Sequence, residues 1–156
     1  MKIAVFSDTH GVTAPMLDAV SRFRPDAVVH LGDHDRDTTE LLRRFPEIPL
    51  YSVAGNCDFA ALAPTVLTVS FGPVKAFLTH GHLYRVDFGR LDSLVYAAQE
   101  AGCGLALFGH THTPLHEDVG GVKVVNPGTA GRGRRLTWAL LTVFDNGGIA
   151  VEMKDF

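Results

Sequence analysis

The sequence predicts an α/β (α+β) fold with two packed mixed β-sheets flanked by helices. In the first half, short apolar runs alternate with segments of helical spacing, which is typical of βαβ units and a mainly parallel sheet. Past residue 60, turn residues separate pairs of apolar runs, as in antiparallel hairpins. A parallel half followed by hairpins indicates two sheets packed face to face, with the helices outside.

The first half of the chain contains two predicted helices between buried strands. Apolar residues recur at helical spacing over Pro15–Phe23, and Pro25 follows as a stop. A second helix is predicted over Arg36–Phe45 and is closed by Pro46. Around these helices lie continuous apolar runs of the kind that form buried parallel strands. They are Ile3–Phe6, Ala27–Leu31 and Tyr51–Ala54.

The second half contains one predicted helix, one isolated strand and three hairpins. The helix covers Leu91–Ala101, has one apolar face and ends at Gly102. The isolated strand is Leu105–Phe108. Each hairpin has turn residues between two apolar runs. The hairpins pair Val66–Phe71 with Val74–Thr79, Leu115–Val119 with Val122–Val125, and Leu136–Phe144 with Ile149–Met153.

Length and composition limit the classes of protein. A chain of 156 residues is expected to form one domain, residues 1–156. Its net charge of −3 argues against a stable nucleic-acid complex. The two cysteines form no disulfide framework, no signal-like segment precedes Ile3, and the first apolar run is too short to span a bilayer. We therefore expect a cytoplasmic protein without a membrane segment.

Five apolar runs each end in a loop whose side chains can bind a metal or a phosphate. Ligands of α/β sheets collect at the carboxyl ends of the strands, so these side chains are expected to converge on one edge. A glycine in or beside each loop lets the backbone turn sharply. Seven nitrogen and oxygen donors in one place suggest two metal ions. The donors are Asp8, His10, Asp33, Asn56, His80, His110 and His112.

Taken singly, each of these features has a structural explanation. Asp8 alone is equally explained as a helix cap. His30 lies inside an apolar run and is interpreted as a hydrogen-bonded core residue or a neighbour of the site, and His116 as a surface residue of a hairpin. The metal hypothesis depends on the combination, because a purely structural explanation would need five coincidences.

Six short motifs, in this order, resemble those of the calcineurin-like metallophosphoesterases, and within them the small bacterial and archaeal phosphodiesterase branch. The resemblance implies an αββα sandwich of the metallo-dependent phosphatase type and extends over most of the chain. The motifs are Ser7-Asp8-Thr9-His10-Gly11, His30-Leu31-Gly32-Asp33, Gly55-Asn56-Cys57-Asp58, His80-Gly81-His82, Gly109-His110-Thr111-His112 and Asn126-Pro127-Gly128-Thr129.

The resemblance also implies two metal ions that share the Asp33 carboxylate. One ion is assigned to Asp8, His10, Asp33 and His112. The other is assigned to Asp33, Asn56, His80 and His110. A bridging carboxylate can hold two dications about 3.5–4 Å apart. This mixed imidazole and carboxylate set favours divalent transition metals over Mg²⁺ or Ca²⁺. We place Mn²⁺ first, with Ni²⁺, Zn²⁺, Fe²⁺ or Co²⁺ as alternatives.

The expected activity is that of a metal-dependent phosphoesterase. We favour a phosphodiesterase that hydrolyses a small phosphorylated metabolite or nucleotide. Direct attack by a metal-bound hydroxide is expected, because the sequence contains no Ser-His-Asp set and no phosphate-binding GxxxxGK[ST] loop. The residues assigned to catalysis are Asp33, Asn56 and His82. Two alternatives stay open. One is a phosphomonoesterase, and the other is a protein-binding scaffold like the related subunit of the retromer coat, which has lost part of the metal shell.

Cys57 departs from the family pattern, in which a histidine follows the asparagine and helps to protonate the leaving oxygen. A thiol with an ordinary pKa of about 8.5 is a poor proton donor to an alkoxide. Cys57 is interpreted either as a small buried filler or as a direct contact to substrate. His82 is the first candidate for the missing proton donor, because Gly81 separates it from His80, and His34 is the second.

Three features keep more than one interpretation. The basic loop that contains Arg132, Arg134 and Arg135 is either a contact for an anionic substrate or a solvated loop. Apolar residues in 60–67 and 86–91 either complete the core or bury a subunit contact, so a homo-oligomer stays open. The Asn126-Pro127-Gly128 segment is predicted to be a turn, with glycine at positive φ, and the family resemblance also implies that this turn lies near the site and shapes the floor of the pocket.

Overall fold

A computed structural model, which describes residues 1–59 and 61–156, confirms the predicted architecture of two packed mixed sheets with helices on their outer faces, and each sheet has five strands. The helices are α1 (Ala14–Phe23), α2 (Thr38–Arg44) and α3 (Asp92–Glu100). Across residues 1–59 and 61–156, no helix has both the length and the apolar character that crossing a bilayer requires.

The first sheet contains the parallel half of the chain and its last hairpin. Its order is β10-β9-β1-β2-β3, with β1, β2 and β3 parallel and β9 and β10 antiparallel. Phe6 pairs with His30, and His30 pairs with Ser52, so three parallel strands end at one level. The strands are β1 (Lys2–Phe6), β2 (Ala27–His30), β3 (Leu50–Ser52), β9 (Thr137–Val143) and β10 (Ile149–Asp155).

The second sheet combines the other two predicted hairpins with the isolated strand. Its order is β4-β5-β6-β8-β7, and β6 runs parallel to both β5 and β8. Leu78 pairs with Leu107, so β5 and β6 also end side by side. The strands are β4 (Val66–Phe71), β5 (Val74–Thr79), β6 (Leu105–Leu107), β7 (Leu115–Val119) and β8 (Val122–Asn126).

The core lies between the sheets, because successive residues of a strand face opposite sides. On β1, Ile3 and Val5 enter the layer between the sheets, and Ala4 and Phe6 face the helices. Helices α1 and α2 cover the outer face of the first sheet, and α3 covers that of the second. Each fully buried Leu, Ile or Val side chain contributes about 1.5–3 kcal/mol.

The structure corrects several predicted bounds next to the strand ends. Helix α2 begins at Thr38 and not at Arg36, because Asp35–Asp37 form a separate 3₁₀ turn after His34, whose φ is 73°. Strand β3 ends at Ser52, two residues before the predicted end. The helix therefore begins late and the strand ends early, and in both places the residues next to the regular element belong to the loops that carry the donor side chains.

Candidate metal centre

Loops from both sheets meet at one end of the sandwich. The sequence predicted convergence on a single sheet edge, but the donors follow β1, β2 and β3 of one sheet and β5 and β6 of the other. Several contacts join the sheets there, two of them through the backbone. The backbone N–H of His110 donates to Asp8 Oδ2 at 3.1 Å, and His80 Nδ1 lies 2.7 Å from the backbone oxygen of Leu31. The donors therefore face one another across the sandwich.

Four of the predicted donors form a compact group. Asp8, His10, Asp33 and His112 each place one ligand atom within 4.8 Å of the others. His112 Nε2 lies 3.1 Å from Asp8 Oδ1 and 3.4 Å from His10 Nε2. His10 Nε2 lies 3.7 Å from Asp33 Oδ2. Two imidazoles and two carboxylates at these distances make a mixed donor set that suits a transition-metal ion.

The Asp8 carboxylate gives the strongest indication of a bound cation in this group, because it is completely buried. Its Oδ2 accepts the His110 N–H, but within the described part of the chain its Oδ1 has no donor in hydrogen-bond geometry. His112 faces that oxygen at an ion-pair distance, and this contact raises the pKa of His112. A buried carboxylate oxygen without a donor is costly, and a cation bound at this point would satisfy it.

Asp33 lies between the first group and a second set of donors. Its Oδ1 accepts the backbone N–H of Cys57 at 2.9 Å and lies 3.4 Å from His80 Nε2. His80 Nε2 is in turn 3.1 Å from Asn56 Oδ1. Desolvation opposes the charge on Asp33, but the Cys57 hydrogen bond and the neighbouring histidines outweigh it and lower the pKa of the carboxyl.

His80 is held in position by its second ring nitrogen. The side chain is fully buried, and the contact from Nδ1 to the backbone oxygen of Leu31 requires Nδ1 to be the protonated nitrogen. The ring then presents its Nε2 lone pair toward Asp33 and Asn56. Such a fixed tautomer and ring orientation is what partners outside the coordination shell give to a metal-binding histidine.

His110, the last predicted donor, has a partner that the sequence reasoning missed. Its Nε2 contacts the Oδ1 oxygen of Asp87, whose side chain is about half exposed, and its ring centroid lies 5.0 Å from that of His80. It does not belong to the compact group of four. Asp87 lies in a short 3₁₀ turn, Val86–Phe88, and no motif in the sequence pointed to it.

The loops that carry the donors have strained, closely packed backbones. A Cβ on Gly55 would lie 2.2 Å from Asp33 Oδ1, so this position requires glycine. Five predicted donors also adopt left-handed backbone conformations, which are costly for residues other than glycine and which concentrate at functional sites. The five are Asp8 (φ 57°), His10 (φ 46°), Asp33 (φ 57°), His110 (φ 67°) and His112 (φ 56°).

Two polar side chains brace these loops, and their roles were not predicted. Asp58 accepts the backbone N–H groups of His34 and Gly55, both at 2.8 Å, and so joins the loops after β2 and β3. Asn126 donates from Nδ2 to the backbone oxygen of Gly109 at 2.7 Å and thereby holds the loop of His110. The predicted turn after Asn126 is present, with Gly128 at φ 86°.

His82 lies beside the second set of donors. Its ring centroid is 5.4 Å from that of His80 and 6.1 Å from that of His110. Its Nδ1 is buried and has no hydrogen-bond partner among the residues described. Desolvation, followed by the neighbouring His80 and His110, lowers the pKa of His82, so its ring is mainly neutral near pH 7. Its assignment as a proton donor stays a prediction.

Cys57 corrects one sequence interpretation. The thiol is exposed, so a buried filler is wrong. Partial desolvation and a hydrogen bond to Asp33 raise the pKa of Cys57 to about 11, and the side chain is therefore a neutral thiol. His34, the second candidate donor, lies with its ring centroid 5.4 Å from that of His10.

The remaining histidines and the basic loop occupy less central positions. His30 is fully buried, with Nε2 3.1 Å from Thr9 Oγ1, which confirms a hydrogen-bonded core residue. His116 is exposed on β7, as predicted. In the basic loop, Arg135 pairs with Asp155 through Nε at 2.5 Å and does not point to the donor group.

The fold and the carboxylate–imidazole cluster place this protein in the metallophosphoesterase class. The family model of the calcineurin-like phosphoesterase superfamily domain matches residues 1–146, from β1 to the turn after β9. The chain belongs to this superfamily.

Two curated relatives extend the comparison. A probable metallophosphoesterase of Bacillus subtilis is 33% identical over 132 residues, which cover 83% of this chain and 75% of the relative. A phosphodiesterase of Methanocaldococcus jannaschii is 26% identical over 147 residues, which cover 82% of this chain and 83% of the relative.

Solved structures share the same architecture. A predicted phosphoesterase of Streptococcus pneumoniae TIGR4 superposes with a TM-score of 0.78 at 28% identity, covering 99% of this chain and 97% of the other. Vps29 of Entamoeba histolytica, solved in a complex with Zn²⁺, gives a TM-score of 0.79 at 22% identity, with 99% of each chain covered. At that identity the likeness to Vps29 concerns the fold alone.

Proposed function

We propose that this protein is a metal-dependent phosphodiesterase that hydrolyses a small phosphorylated metabolite or nucleotide at a dinuclear metal centre. One observation carries the proposal: the Asp33 carboxylate lies between two donor groups. Its Oδ2 is 3.7 Å from His10 Nε2, and its Oδ1 is 3.4 Å from His80 Nε2. This position suits a carboxylate that bridges two ions about 3.5–4 Å apart.

The donor chemistry fits divalent transition metals. Asp8, His10, Asp33 and His112 would hold one ion. Asp33, Asn56, His80 and His110 would hold the other. We place Mn²⁺ first among the ions, and Zn²⁺ is the ion in the complex of Vps29 that shares this fold. Two such ions would supply the Lewis acidity of the reaction, polarising the phosphoryl oxygens and activating the water that attacks phosphorus.

The residues of the chain then have distinct tasks. Asp33 lies between the two donor groups and would be a ligand to both ions. Asn56, as a neutral amide, keeps the site from becoming so negative that it repels a phosphate. His82, with a buried Nδ1 beside the second donor set, is assigned to the phosphoryl or leaving oxygen. The assignment of a diester substrate draws support from the Methanocaldococcus jannaschii relative, which is named a phosphodiesterase.

The test is hydrolysis of paired aryl phosphate monoesters and diesters. The protein is stripped of metal and refilled in turn with Mn²⁺, Ni²⁺, Zn²⁺ and Mg²⁺, and metal content is measured for each form. Asp33→Ala removes the bridging carboxylate, and Glu117→Ala, an exposed residue of β7, is the matched control. We expect diester cleavage that needs a transition metal, is lost in Asp33→Ala and persists in Glu117→Ala.

Two results would overturn this proposal. Faster cleavage of the monoester than of the matched diester would identify a phosphomonoesterase. No turnover with any metal, in a protein that binds two ions, would identify a metal-binding scaffold of the same fold.

A further inference from the structure

A cleft of about 490 Å³ opens beside the donor loops, and the activity proposed above does not by itself explain it. Its size lies in the range of small-molecule binding sites, about 300–1,000 Å³. Its walls come from the loop and helix after β2 and from the loop after β3. Six lining residues matter here: His34, Arg36, Thr39, Cys57, Phe59 and Leu62.

Two of these wall residues also contact the candidate metal ligands. The backbone N–H of Cys57 donates to Asp33 Oδ1 at 2.9 Å. The ring of His34 meets the ring of His10 edge-on, with centroids 5.4 Å apart. The cleft therefore lies next to the donor group. A phosphodiester has two organic substituents, so a phosphate held at the donor group would leave one of them able to extend toward this cleft.

The rim of the cleft is apolar and unusually exposed. The Phe59 side chain is 85% exposed and Leu62 is fully exposed, although both are large apolar residues. Large apolar side chains exposed together beside a candidate site are typical of a surface that a ligand or a partner covers. A flat phenyl ring is suited to stack on the face of a nucleobase.

Two charged side chains of the cleft differ in whether the protein already occupies them. The Asp58 carboxylate accepts hydrogen bonds from the backbone N–H groups of His34, Asp35 and Gly55. The exposed guanidinium of Arg36 has no carboxylate within ion-pair distance among the described residues. The guanidinium is available to donate to the ring nitrogens and exocyclic oxygens of a base, acceptors that an alkyl group does not offer.

We propose that this cleft binds the nucleoside substituent of a nucleotide phosphodiester, with the base stacked on Phe59. The inference rests on the proposed phosphodiesterase function and narrows its substrate to esters that carry a heteroaromatic base. Phe59 is a specificity-determining residue in this arrangement, because it contacts the substituent and not the reacting phosphorus.

The experiment measures binding and not turnover. Calorimetric titration of the Mn²⁺-loaded protein compares thymidine 5′-monophosphate with 1,2-dideoxyribose 5-phosphate, in which a hydrogen atom replaces the base. We expect the nucleotide to bind about tenfold more tightly, in line with one stacked base. In Phe59→Ala this ratio falls to near one. Tyr96→Ala removes an exposed aromatic residue of α3, outside the cleft, and keeps the ratio.

Each other outcome overturns the proposal. Equal affinity of the two phosphates in the wild type, with diester hydrolysis intact, rejects the nucleoside site but leaves the phosphodiesterase standing. A ratio that survives in Phe59→Ala places the base elsewhere. A change of mass in sedimentation for Phe59→Ala alone means that a second copy of the chain covers the rim. If diester hydrolysis is absent as well, the proposed function fails with it.

Discussion

Asp58 and His34 lie on different loops, and the Asp58 carboxylate joins them, accepting the backbone N–H of His34 at 2.8 Å through Oδ1. The other oxygen, Oδ2, accepts the backbone N–H of Gly55, also at 2.8 Å. One side chain therefore fixes the loop after β2 against the loop after β3. These loops carry Asp33 and Asn56, so the spacing of the proposed ligands depends on a residue outside the proposed ligand sets.

Replacing Asp58 with alanine tests this dependence. The change leaves partly buried N–H groups without an acceptor, at a cost of about 1–3 kcal/mol for each group left unsatisfied. We expect Asp58→Ala to lower metal affinity at least tenfold and to lower the melting temperature. Calorimetric metal titration and thermal unfolding measure the two effects. Asp118→Ala, which removes only an exposed pair with Lys123, is the control. Unchanged metal affinity in Asp58→Ala would contradict the role of this brace.

Asp87 is expected to orient His110 for the second ion. Its contact with His110 Nε2 leaves Nδ1 as the ring nitrogen available for a metal. Loss of a carboxylate that contacts the second ring nitrogen of a metal-binding histidine typically lowers metal affinity about 10–100-fold. We expect Asp87→Ala to weaken the second of two Mn²⁺ binding steps by that factor and to spare the first. Equal weakening of both steps, or of neither, would remove Asp87 from this role, and Glu117→Ala again serves as the control.

Gly55 is expected to tolerate no side chain. An added Cβ would meet Asp33 Oδ1 at 2.2 Å and the Asp33 backbone nitrogen at 2.5 Å, so the carboxylate has to move. We expect Gly55→Ala to lower the free energy of unfolding by about 1–3 kcal/mol and to abolish binding of two ions. Gly104 has nothing within 4 Å of its added Cβ, and Gly104→Ala is the matched control. Denaturant unfolding and metal content of both variants decide the point, and normal metal content in Gly55→Ala would refute the steric argument.

The proton-donor assignment of His82 is tested with a series of diesters whose leaving groups differ in basicity. A general acid matters most when the leaving oxygen is basic. We expect His82→Ala to lower kcat most for the poorest leaving groups, which gives a steeper dependence on leaving-group pKa. An equal loss across the series would mean that His82 positions the phosphate or the ring of His80 and does not donate the proton.

The order and chemistry of the donors could be predicted from the sequence. Buried parallel strands appear in a sequence as continuous apolar runs. Here the loop after each run carries the Asp, Asn or His side chains that are candidate metal ligands. The strand register, with Phe6 beside His30 and His30 beside Ser52, then brings the following loops to one level. For this reason the motifs and the fold class could be predicted from the sequence, whereas the predicted convergence on a single sheet edge was wrong, because the donors follow strands of both sheets.

The contacts between those loops were decided by the tertiary structure alone. Asp8 and the N–H of His110 are 102 positions apart in the chain, and nothing in either segment specifies their hydrogen bond. The contact of His110 with Asp87 likewise depends on how separate loops of one sheet meet. The same holds for the exposure of Cys57 and for the cleft beside it. Periodicity reports which side of a strand is buried, but it does not report which loop faces which across the sandwich.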